Sequence, residues 1–139
     1  NLVARRLSRL ATIKGEKNMS KIIPVKDIRV TIGKSEWLVK NVSNLTVNQL
    51  CNSKAKKKVV AYGCTCEWSK TIYMNGEIVT DYNYYIEVLK HEITHAIIAE
   101  YGYKVKKDFD EETLCDFMAS YAEKLEEVIK EYLKKGGDK

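Results

Sequence analysis

Histidine is almost missing from this chain of 139 residues: there are two. Long apolar runs are missing altogether. None approaches the ~18 residues that a membrane-crossing helix needs, and no secretory leader stands out, so a cytoplasmic chain with no membrane partner is expected. A sustained positive field is missing as well. The net charge of +5 is concentrated at the start, where Arg5, Arg6, Arg9, Lys14 and Lys17 face only Glu16. That segment holds +4, and residues 19–139 hold the remaining +1. A body so nearly neutral is not expected to grip nucleic acid. The local run Lys54-Ala55-Lys56-Lys57-Lys58 reads as a solvated face. Of the four cysteines, Cys51, Cys64, Cys66 and Cys115, the middle two have one residue between them. That is too close for an ordinary disulfide or the usual zinc knuckle, so free thiols in a reducing compartment are expected. Cys64 and Cys66 stay candidates for a redox or additional metal group. Internal repeats and interior linkers are absent too.

What is present suits one domain. At 16.0 kDa, with 45% hydrophobic and 31% charged residues, the chain can bury a core without disulfide or metal staples. A metal here would therefore serve chemistry. Residues 1–18 are basic and precede Met19-Ser20-Lys21; they are expected to be a flexible or appended extension. Residues 19–139 then form a single domain, assumed to be a monomer.

Within it, strands come first. Ile28, Val30 and Ile32 alternate in a β-branched run, Gly33-Lys34-Ser35 reads as a turn, and Glu36–Val42 reads as a second strand. Residues 44–58 suggest a short helix capped at Asn44 or Thr46. Residues 59–68 suggest a strand broken at Gly63, and Lys70–Asn75 a short strand ending at the turn pair Asn75-Gly76. Two helices follow. The first is expected from Asp81 to Tyr101, with Gly102 as its C-cap. The second is expected from Asp110, a good N-cap, to about Lys135. Its apolar stripe runs through Leu114, Phe117, Met118, Tyr121, Leu125, Val128, Ile129 and Tyr132. The fold class is α+β: a small antiparallel or mixed sheet packed on two helices.

Both histidines lie in the first helix, in "HEITH". His91 and His95 are four residues apart, so they project from one face, one turn apart, and can share a tetrahedral zinc ion. Glu92, beside them, is placed to serve as general base toward a metal-activated water. With both histidines committed, a third ligand has to be Asp, Glu or Cys. The second helix supplies Glu112 and Asp116, four apart on one face. The glutamate can bind zinc, and the aspartate can hold the N–H of a ligating imidazole. Glu111 competes, but its i+4 neighbour is Cys115.

H-E-x-x-H followed by E-x-x-x-D on the next helix resembles the gluzincins, the thermolysin-like zinc metallopeptidases. The likeness covers roughly residues 70–122 and is nearest to the small, minimal-scaffold members encoded by phages and prophages. It is more distant from the ImmA/IrrE-type enzymes, which usually carry Asn where Asp116 stands. The resemblance implies a zincin-like fold, Zn2+ held by His91, His95 and Glu112, and Asp116 supporting His91. It also implies that Glu92 is the base in endopeptidase hydrolysis of a peptide or protein substrate. In such folds an edge strand ahead of the active helix lines the cleft, a place that Lys70–Asn75 would fill by strand addition. No downstream histidine is available for the oxyanion, which leaves Tyr101 and Tyr103 as candidates. The alternatives are a metal-binding interaction module that does not cleave, with Cys64, Cys66 or a tail carboxylate occluding the metal, and a phage or prophage structural protein.

Overall fold

The alternation of Ile28, Val30 and Ile32 does form a strand. In the computed structural model, which describes residues 22–43, 46, 61–102 and 110–137, these three side chains are buried and the two between them exposed. This strand, β1 (Ile28–Ile32), turns through Gly33 and Lys34 into β2 (Ser35–Val42). Gly33 takes φ +62°, a left-handed value that glycine adopts without steric cost. The next strands are β3 (Gly63–Cys66) and β4 (Thr71–Asn75), followed by helices α1 (Tyr82–Tyr101) and α2 (Glu111–Lys135). The helix expected over residues 44–58 lies, apart from Thr46, outside the described residues, as does the extension 1–18.

The sheet order is β1-β2-β4-β3. β1 and β2 are antiparallel, β2 and β4 parallel, β4 and β3 antiparallel. The sheet is thus mixed, as the α+β class allows. One expectation needs correcting. The strand before the first helix, β4, is not an edge strand: it lies between β2 and β3. Its residues Thr71, Ile72, Met74 and Asn75 are buried, which suits an inner position. The edge facing the helix is β3, which starts at Gly63 rather than breaking there.

Helix α1 lies on the sheet through Tyr85, Leu89, Ile93, Ala96 and Ile97, all buried. The Asp81 carboxylate accepts the Tyr84 N–H at 2.9 Å, and Gly102, at φ +63°, donates its N–H to Ile98 O. These are the expected caps. Helix α2 starts as expected from Asp110, whose carboxylate accepts Thr113 N–H at 2.8 Å. Its stripe is buried only in the carboxy-terminal half, at Val128, Ile129 and Tyr132. Leu114 and Met118 remain 46% and 49% exposed. No helix among the described residues is long and apolar enough to cross a membrane.

Two polar clusters fix the layers. The Tyr85 hydroxyl donates to Asn41 Oδ1 at 2.7 Å and lies 3.0 Å from the Tyr132 hydroxyl, joining β2, α1 and α2. Burial raises the pKa of both phenols, so they stay protonated and able to donate. At the other end of α1, Glu100 accepts from Lys70 Nζ at 2.8 Å, Trp37 Nε1 at 2.9 Å and Ser35 Oγ at 3.0 Å. The Lys70 hydrogen bond, helped by Trp37 and Ser35 and opposed by burial, holds this carboxyl below its ordinary value of 4.5. A lowered folded-state pKa stabilises the fold above the unfolded value, and that contribution is lost as pH falls through the folded value. Glu100→Ala should therefore cost about 1–3 kcal/mol near neutral pH, largely by stranding the buried Trp37 N–H. The difference from the parent protein should shrink as pH falls below the ordinary carboxylate value and through the lowered folded one. Urea melts at a series of pH values check this; a difference independent of pH would contradict it.

Candidate metal centre and the groove beside it

The middle turns of α1 carry the chemistry. Leu89, Ile93 and Ala96 turn inward, so positions 91 and 95 face outward, and both imidazoles are exposed. Their Nε2 atoms lie 3.2 Å apart, with the rings 4.9 Å apart and near perpendicular at 77°. Two nitrogens bound at 2.0–2.1 Å to one tetrahedral zinc would lie about 3.3–3.4 Å apart. The pair is within hydrogen-bonding distance and only slightly closer than two ligands to a single ion.

Glu92 is the unexpected member. It was expected to point sideways, toward the histidine site. Instead it is 6% exposed, buried between α1 and the edge strand β3. Thr65 Oγ1 lies 2.5 Å from Glu92 Oε2 and 3.0 Å from the Glu92 carbonyl oxygen. Gly63 leaves room for the carboxylate's stem: a Cβ there would come within 2.9 Å of Glu92 Cγ. Sequence reasoning missed both Thr65 and Gly63. The signal was slight: a glycine and a threonine two apart on a strand share a face, but nothing local says that the face meets residue 92.

Thr65 faces α1, so its neighbours Cys64 and Cys66 face the other side of the sheet. Neither can cap an ion held by His91 and His95, and the occluded site imagined for them does not form.

The structure brings His91, His95 and Glu92 onto adjoining turns, but not Glu112 or Asp116. Residues Leu114, Phe117, Met118, Tyr121 and Leu125 of α2 face His91 and His95 across a groove of about 580 Å³, which Ile97 and Ile98 also line. At 100° per residue, Glu112 and Asp116 fall on the other side of α2, and both are exposed. Among the described residues no three His, Cys, Asp or Glu side chains gather as a metal-holding group. The physical reason is the apolar stripe, which draws its own side of α2 toward α1 and turns the acidic side out. Tyr101 is not at the histidines either. A Cβ on Gly33 would lie 3.7 Å from its hydroxyl, which places the phenol at the β1–β2 turn, with its ring 5.3 Å from that of Tyr121. Tyr103 lies outside the described residues.

The two margins of the sheet differ. On β1, the outward Thr31 N–H donates to Glu131 Oε1 at 2.7 Å and the Arg29 carbonyl accepts from Lys135 Nζ at 2.8 Å. Side chains of α2 thus cover that edge. β3, beside Glu92, has no further strand on its outer side among the described residues. No protein-family model, curated protein or solved structure matches this chain.

Proposed function

We propose that this chain is a small zinc-dependent endopeptidase with a zincin-like fold, acting in the cytoplasm on peptides or proteins. The observation that carries the reading is the exposed pair of Nε2 atoms 3.2 Å apart with a buried glutamate in the adjoining position. The imidazole pair fits zinc; the third ligand is not assembled in the described arrangement. The gluzincin pattern still nominates Glu112 for that place, with Asp116 behind it.

Zinc, when bound, polarises a carbonyl and makes water nucleophilic near neutral pH. The chain's own residues do the rest. His91 and His95 would hold the ion. Glu92 would receive the water proton and return it to the leaving amine. Thr65 holds the Glu92 carboxylate in a defined position between α1 and β3, from which it would have to reach the water. A substrate strand would lie along β3 and present a carbonyl near the histidines. Trp68, in the turn after β3 and 91% exposed, offers an aromatic flank for it.

Elemental analysis of freshly purified protein tests the centre. About one zinc per chain is expected, with most of it lost in His95→Ala; loss in Glu112→Ala as well would mean that α2 turns from the described arrangement to bring Glu112 to the ion. Equal zinc in His95→Ala would remove the centre, and equal zinc in Glu112→Ala would move the third ligand elsewhere. Cleavage of an unstructured protein should stop with a hydroxamate, which chelates zinc.

One observation favours a second reading. The groove beside the histidines is almost wholly apolar and leaves Leu114 and Met118 exposed. A module that holds an apolar partner segment without cutting it would use such a surface. It would bind metal and show no hydroxamate-sensitive cleavage.

A further inference from the structure

Cys64 and Cys66 form a pair that the proposed peptidase centre does not use. Both are half-buried and carry free thiols. They flank Thr65, which points at Glu92, so both side chains stand on the opposite face of β3. There Cys64 is across from Tyr73 and Cys66 from Thr71.

Strand geometry decides what the two sulfurs can do. Residues i and i+2 of a strand are about 6.4–6.8 Å apart with parallel Cβ vectors. A disulfide needs Cβ atoms about 3.5–4.5 Å apart, so the pair cannot close on itself without breaking the β3–β4 ladder. An ion between two inward-leaning sulfurs spans the larger gap. Among the described residues no third His, Cys, Asp or Glu joins them as a metal-holding group. A two-thiolate site is a poor one for zinc, which takes four ligands in structural sites. It suits a soft ion satisfied by two sulfurs.

We propose that Cys64 and Cys66 bind one soft, thiophilic cation of the cuprous type, on the sheet face away from the histidines. Thiolates select such ions over harder ones. Each thiol releases its proton to solvent as its sulfur binds; no electron transfer is involved. The proposal does not rest on the peptidase reading.

The test uses the full chain as Cys51→Ser/Cys115→Ser, in which Cys64 and Cys66 are the remaining thiols. Cuprous ion is offered anaerobically from a coloured cuprous chelator, and loss of colour reports transfer. One ion per chain is expected, with the protein unchanged in size on gel filtration. Adding Cys64→Ser or Cys66→Ser should each weaken binding at least tenfold, whereas adding His91→Ala/His95→Ala should leave it unchanged. Alanine replaces serine if the hydroxyl unfolds the strand by circular dichroism. Undiminished binding with one cysteine, loss of binding with the histidines, or an ion that joins two chains would each overturn the assignment.

Discussion

Glu92→Gln should lower peptide turnover by about two to four orders of magnitude, the usual contribution of a positioned general base, while zinc content stays at the parent value. The substitution isolates proton transfer well. Glutamine has the shape of glutamate, so its stem still fits beside Gly63. Its amide oxygen can still accept from Thr65, which approaches Glu92 Oε2 in the parent. The carbonyl contact to the same hydroxyl belongs to the backbone and survives. Stability should therefore change little, and a drop in rate cannot be ascribed to unfolding. Cleavage at the parent rate in a protease-free preparation would remove Glu92 from the mechanism. The non-cleaving reading predicts no activity for either protein.

The second large effect concerns the core. Trp37→Ala should cost about 3–5 kcal/mol, as truncation of a buried large aromatic does. Trp37 is among the largest fully buried side chains, 1% exposed. Its indole N–H donates to Glu100 at 2.9 Å, so the substitution empties a cavity and removes one arm of the clamp on the end of α1. Against a typical total of roughly 5–15 kcal/mol, that is a large share. A fall in Tm on the order of 10–20 °C is expected. Because Trp37 and Glu100 share a hydrogen bond, Trp37→Ala and Glu100→Ala should cost less together than the sum of their separate losses. A loss under about 1 kcal/mol for Trp37→Ala would mean that the end of α1 is held by other contacts.

Much of the fold could be read locally. Asp81, Gly102 and Asp110 mark helix ends because capping uses atoms within a few residues. The spacing of His91 and His95 is a property of one helix, and the two imidazoles do meet. Features that depend on distant segments were not legible. Which strand forms the edge follows from β2 pairing with β4, and nothing inside Lys70–Asn75 records that partner. Nothing around Glu100 in the sequence singles it out, yet it binds Ser35, Trp37 and Lys70. Helix α2 shows the same limit. Its stripe correctly marked an inward side, but Glu112 and Asp116 were expected to reach the histidine site, and the rotation set by Leu114, Phe117 and Tyr121 turns them outward.

The plugging of β1 by Glu131 and Lys135 has a consequence for self-association. Growth of a sheet from molecule to molecule needs two open rims, one to receive and one to offer. On the β1 side, Glu131 and Lys135 already occupy the Thr31 N–H and the Arg29 carbonyl. Sheet growth from copy to copy through β1 would first have to displace both side chains, so that rim resists end-to-end stacking into fibrils.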